Sequence, residues 1–113
     1  MKRYCKTLEL RDDPRLIEEY KKVHAPGAVW AEITKGIRQV GITDMEIYLS
    51  GTRLFMIMET EDEVDHEKAL ERLATLPRQK EWERFVSKFQ KTSSEAAASE
   101  KWQLMERIFK LDD

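Results

Sequence analysis

A single cysteine, Cys5, leaves no second thiol for an internal disulfide, and with only two histidines the chain is poor in ligands for a structural zinc site. An excess of charge of one sign is also missing. Twenty Lys and Arg stand against 22 Asp and Glu, so although 37% of residues are charged, no net field attracts nucleic acid or an anionic membrane. Nowhere do about eighteen apolar residues run together as a membrane helix requires, and Met1 leads directly into a strand-like pattern rather than a secretory signal. No linker divides the 113 residues. These absences predict one cytosolic domain over residues 1–113, with neither nucleic acid nor membrane as a partner.

The most informative stretch runs over residues 13–30. Asp13 can cap free backbone N–H groups, Pro14 suits a first helical turn, and Pro26-Gly27 supplies the stop. At about 100° per residue, Leu16, Ile17, Tyr20, Val23 and His24 share an arc of roughly 120°. A phenol and an imidazole one turn apart therefore sit on the face that must turn toward protein. For His24 this leaves two readings, a hydrogen-bonded structural residue or a group that moves protons, and Tyr20 has the same two. The end of a helix favours an imidazolium and burial opposes it. The sequence does not rank the two.

Residues 3–10 alternate Tyr4, Lys6, Leu8 and Leu10 against Cys5, Thr7 and Glu9, which predicts a strand. Trp30, Ile33, Ile37 and Val40 recur at helical spacing before Gly41, so a second helix completes a bent arm. Residues 44–49 and 53–60 predict a hairpin closed at Ser50-Gly51-Thr52. In its second strand Leu54, Met56 and Met58 point one way and Phe55 and Ile57 the other, so both faces need cover: helices on one side, a second subunit on the other. Residues 64–76 and the stripe of Trp82, Phe85, Val86 and Phe89 predict another two-part arm, interrupted at Pro77. Residues 92–99 predict a loop or mobile segment, within which Ala96-Ala97-Ala98 can form one helical turn.

The apolar pattern of residues 101–111 fits a helix or a strand. A strand completes a split β-α-β pair, so the predicted fold is α+β: a ferredoxin-like domain with a four-stranded antiparallel sheet and helices on one face. Its bare sheet faces are expected to pair as a dimeric α/β barrel holding a small ligand in the shared interior. His66, within an acidic run, predicts a solvated helix start without chemistry. Met45, Met56, Met58 and Met105 predict core filling. The spacing of His24, Glu32, Glu46 and Glu59 does not require a metal.

Glu18, Tyr20 and His24 in the pattern Glu-x-Tyr-x-x-x-His, then Trp30 and Glu32, Ile47-Tyr48-Leu49, Leu54-Phe55 and Trp82, together resemble the L-rhamnose mutarotase family. The resemblance runs from the first strand to Trp82 and is looser in the tail; the hairpin from Glu46 to Met56 is similar to members assigned to L-fucose. It implies a homodimeric barrel that interconverts the α and β anomers of a six-deoxy monosaccharide, L-fucose or L-rhamnose, without metal or organic cofactor. His24 matches the family's acid/base histidine, and Tyr20 and Trp82 match substrate-contacting positions. Two positions depart from the rhamnose pattern, Met45 in place of a second tyrosine and Glu81 in place of a tryptophan. Tyr48 or Glu46 is then expected to supply the polar contact, and an indole, Trp82 or Trp30, to lie against the sugar's C–H face. The alternatives on the same architecture are a cofactor-free monooxygenase and a non-catalytic small-ligand-binding dimer.

Overall fold

The computed structural model describes residues 1–112. Strand β1 is Lys2–Glu9, and Asp13 then caps helix α1, Pro14–Val23, its carboxylate accepting from the N–H groups of Arg15 at 2.9 Å and Leu16 at 3.4 Å. The chain breaks at Gly27, in the left-handed region at φ +82°, and resumes as α2, Ala31–Gln39. Gly41 ends the arm at φ +95°, where an added Cβ would lie 2.6 Å from Val64 Cγ2, so no other residue fits without displacing that side chain.

Strands β2, Ile42–Ser50, and β3, Arg53–Thr60, form the hairpin around Gly51, with an irregularity between Ile42 and Asp44. Asp65 caps α3, His66–Leu73, through Lys68 N–H at 3.0 Å. Pro77 and a left-handed Arg78, φ 66°, separate it from α4, Gln79–Val86. A single turn, α5, Ala98–Lys101, precedes the two-residue strand β4, Gln103–Leu104.

The sheet order is β2-β3-β1-β4, antiparallel throughout, as a split β-α-β pair demands. Leu54, Met56 and Met58 are almost fully buried, whereas Phe55 and Ile57 on the other face stay partly exposed. The buried row joins Leu8, Ile33, Leu70, Leu73, Val86 and Phe89 in one core between sheet and helices. Burying each such side chain stabilises the fold by about 1.5–3 kcal/mol.

Two expectations are corrected here. The final strand covers residues 103–104 rather than 101–111: α5 takes Lys101 inward, and after Met105, whose N–H bonds Cys5 O at 2.8 Å, no regular element follows among the described residues. Ile108, Phe109 and Leu111 are more than three-quarters or nearly so exposed, because within one chain nothing covers either face of that segment. His66 is not solvated. Its ring stacks on Tyr4 at 4.3 Å and its side chain is only 10% exposed, since the first turn of α3 lies over β1.

Candidate active site

A cavity of about 410 Å³, within the size range of small-molecule sites, opens between the sheet and the helices of one chain. Lys6 of β1, Met45 and Ile47 of β2, and Met56 and Met58 of β3 line it from the sheet; Tyr20, His24, Ile33, Trp82 and Glu83 line it from the helices. It lies on the helix side of the sheet, whereas the ligand was expected between the bare sheet faces of two chains. Strand periodicity shows which side chains share a face, but not whether the layer opposite fills the volume before them.

His24 follows the last residue of α1, and its Nδ1 lies 2.9 Å from Tyr20 O. A carbonyl oxygen only accepts, so Nδ1 carries the proton and the neutral ring keeps its lone pair on Nε2. The imidazole stacks on the Tyr20 ring at 4.3 Å and meets Trp82 edge-on at 5.5 Å. Burial lowers the His24 pKa below its ordinary 6.5 and outweighs the Tyr20 carbonyl, which raises it. Burial thus wins over the helix end. Because the folded pKa is depressed, the unfolded chain binds more protons at mildly acidic pH, so His24's contribution to stability is complete above about 6.5 and is lost as pH falls toward the folded pKa. Urea midpoints between pH 7.5 and 5 are expected to fall for the wild type, and His24→Asn is expected to reduce that fall.

Behind Tyr20 runs a buried chain of polar side chains. Gln90 Nε2 donates to Tyr20 Oη at 3.3 Å, while Gln90 Oε1 accepts from Lys101 Nζ at 2.9 Å. Lys101 Nζ also donates to Glu83 O at 2.7 Å and pairs with Glu83 Oε1 at 2.9 Å, and Glu83 Oε2 accepts from Gln79 Nε2 at 2.7 Å. An ammonium can only donate, so Lys101 fixes the orientation of the Gln90 amide, and that amide in turn requires Tyr20 Oη to accept. The phenolic proton is left for a ligand. Burial pushes the Tyr20 pKa up to about 12, so the group is a donor rather than a base at neutral pH.

The other expected residues separate into two groups. Trp82, 7% exposed, lines the cavity; Trp30 stands behind it, edge-on at 5.2 Å and stacked on Phe85 at 5.5 Å, outside the lining. Tyr48 and Glu46 bond one another at 3.1 Å on the uncovered sheet face, with Tyr48 52% exposed. Neither lines the cavity, because alternation along β2 turns them opposite to Met45 and Ile47. They stand apart from the group that this cavity brings together, on the sheet face that was expected to meet a second subunit. Lys6, Gln79, Glu83, Gln90 and Lys101 were missed. The signals existed: Lys6 lies in the row of Leu8 and Leu10, and Gln79 and Glu83 flank Trp82 on the same helical stripe. Among the described residues no group of three or more His, Cys, Asp or Glu side chains is placed to hold a metal ion. Among the same residues no helix is long and apolar enough to cross a membrane.

The model of the L-rhamnose mutarotase family matches residues 3–111. The chain belongs to that family. Mutarotases are carbohydrate isomerases, and the chain is 39% identical over its whole length, and over 90% of the relative's, to an L-fucose mutarotase of Xanthomonas campestris pv. campestris. It is 36% identical to a UPF0734 protein of Dictyostelium discoideum, over 98% of this chain and 90% of the other. The crystal structure of an L-rhamnose mutarotase from Formosa agariphila shares its fold, with a TM-score of 0.73 over 99% of this chain and 100% of that one at 16% identity. Of the two departures from the rhamnose pattern, Met45 lines this mutarotase's cavity, whereas Glu81 is 61% exposed and pairs with Arg78 at 3.5 Å.

Proposed function

We propose that this mutarotase interconverts the anomers of a six-deoxy sugar, L-fucose in preference to L-rhamnose, with His24 as its acid/base group. One observation carries the assignment: a neutral imidazole held by Tyr20 O, with Nε2 unpartnered at the wall of a sugar-sized cavity and a phenolic donor stacked against it. Nε2 accepts the proton of the anomeric hydroxyl, the bond from the anomeric carbon to the ring oxygen opens as that oxygen takes up the bond's electron pair and a proton from a donor on the cavity wall, and the aldehyde rotates. Reclosure then reverses the proton transfers on the other face. Tyr20 donates to a sugar oxygen, and the Trp82 indole covers a C–H face. Met45, Met56 and Met58 make one side of the cavity apolar, which suits the methyl group of a six-deoxy sugar, and the 39% identical L-fucose relative favours that sugar.

The half-covered Phe55 and Ile57 row on the outer sheet face supports a homodimer, tested by sedimentation equilibrium, where a mass of one chain would refute it. Saturation-transfer NMR on L-fucose, L-rhamnose and other six-deoxy sugars at anomeric equilibrium tests the activity. Faster exchange with L-fucose supports the assignment, and no acceleration with any sugar ends it. Because burial depresses the His24 pKa, the acid limb of the exchange rate is expected below pH 6.5 and not above it.

A further inference from the structure

Two lysines of this chain are buried, and they differ in one respect. Lys101 has three oxygen partners for its ammonium. Lys6, 3% exposed on the cavity side of β1, has no hydrogen bond or ion pair among the described residues, where Glu67 is the one charged group that acts on it. Its neighbours in the same row are Leu8 and Leu10, and across the sheet it is paired with Met56. Leaving an ammonium uncompensated in such surroundings costs stability, and methionine would fill the same space without that cost. What Lys6 does face is the cavity that His24 and Tyr20 line.

We propose that Lys6 is the general acid of ring opening, delivering its proton to the sugar's ring oxygen while His24 Nε2 removes the proton of the anomeric hydroxyl. This rests on the mutarotase assignment above. The electron pair of the breaking C–O bond goes to the ring oxygen, which takes the ammonium proton and becomes a hydroxyl. The electron pair of the O–H bond becomes the second bond of the aldehyde, and the proton resides on imidazolium. Closure returns one proton to the amine and the other to the anomeric oxygen, so the cycle balances without any added reagent. Both reacting oxygens are bonded to the anomeric carbon, so an acid from the sheet and a base from α1 can serve them at once.

Tyr20 is the competing donor and the weaker acid. Burial raises its pKa to about 12 while burial lowers that of Lys6 to about 8, nearer to neutrality. The remaining titratable groups on the cavity are His24, Arg38, Asp44 and Glu83.

Lys6→Met and Lys6→Arg, each compared with the wild type for L-fucose exchange by saturation-transfer NMR and for sugar binding by calorimetry, test the proposal. Both variants are expected to bind sugar and to lose exchange by about 100-fold or more, arginine failing because its guanidinium does not release a proton near neutral pH. Lys6→Met is expected to melt above the wild type. Wild-type exchange in Lys6→Met, recovery by Lys6→Arg, loss of sugar binding in Lys6→Met, or a lower melting temperature for it would each overturn the proposal. The last three would make Lys6 a binding or structural cation. A wild type that accelerates no sugar removes the mutarotase assignment and Lys6's role together; an active wild type with active variants removes only the latter.

Discussion

Replacing His24 with Asn is expected to lower the anomer exchange rate by about 10²–10⁴, or ~3–5 kcal/mol of barrier, while leaving the fold in place. The substitution is chosen on geometry. An asparagine amide reaches about where Nδ1 lies, so it can still donate to Tyr20 O and keep the end of α1 closed. It has nothing at the position of Nε2. The loss is thus confined to the lone pair that receives the anomeric proton. A buried titratable ring is removed at the same time, so the variant is expected to melt close to the wild type at pH 7 and to lose part of its sensitivity to acid. Exchange at the wild-type rate in a folded His24→Asn protein would exclude the imidazole from the chemistry. An Asn variant that no longer folds would instead make the packing of the imidazole on Tyr20 and Trp82 structural, the role that a histidine on an apolar stripe more commonly has.

The elements that could be read from sequence were those written in local chemistry. Asp13 and Pro14 at the start of α1, Gly41 at the end of α2, and Ser50-Gly51-Thr52 between β2 and β3 each act within a few residues, and each stands where expected. The pairing of Tyr20 with His24 was readable for the same reason, as one helical turn separates them. What failed depends on distance along the chain. The polar chain behind Tyr20 joins residues 18 and 70 positions apart, Glu83 to Lys101 and Gln90 to Tyr20, and no local spacing encodes such a meeting. Glu46 and Tyr48 share one face of β2, and only the packing of helices on the other face decides that the cavity lies away from them. The tail was misjudged because its apolar residues fit a strand that a single chain cannot cover.

Lys101→Met is expected to destabilise the protein by about 3–5 kcal/mol, the usual cost of removing one partner from a buried ion pair. For a domain of this size that lowers Tm by ~10–20 °C. The Lys101 side chain is wholly inaccessible and that of Glu83 is 12% exposed, so water cannot readily replace the lost ammonium. Glu83 then retains only the Gln79 amide, and its charge stays where burial penalises it. Activity is expected to suffer by a separate route. Without Lys101, Gln90 Oε1 has no donor, and the amide can turn to accept the Tyr20 proton that the wild type directs to sugar. The double variant Glu83→Gln, Lys101→Met separates the two effects. With the carboxylate charge gone, most of the lost stability should return, while exchange stays impaired because the Gln90 amide is still free to turn. Calorimetric melting and saturation-transfer exchange on the single and double variants measure both. If the single variant melts with the wild type, the buried pair does not hold this region together; if the double variant regains full exchange, orientation of the Tyr20 proton does not depend on Lys101.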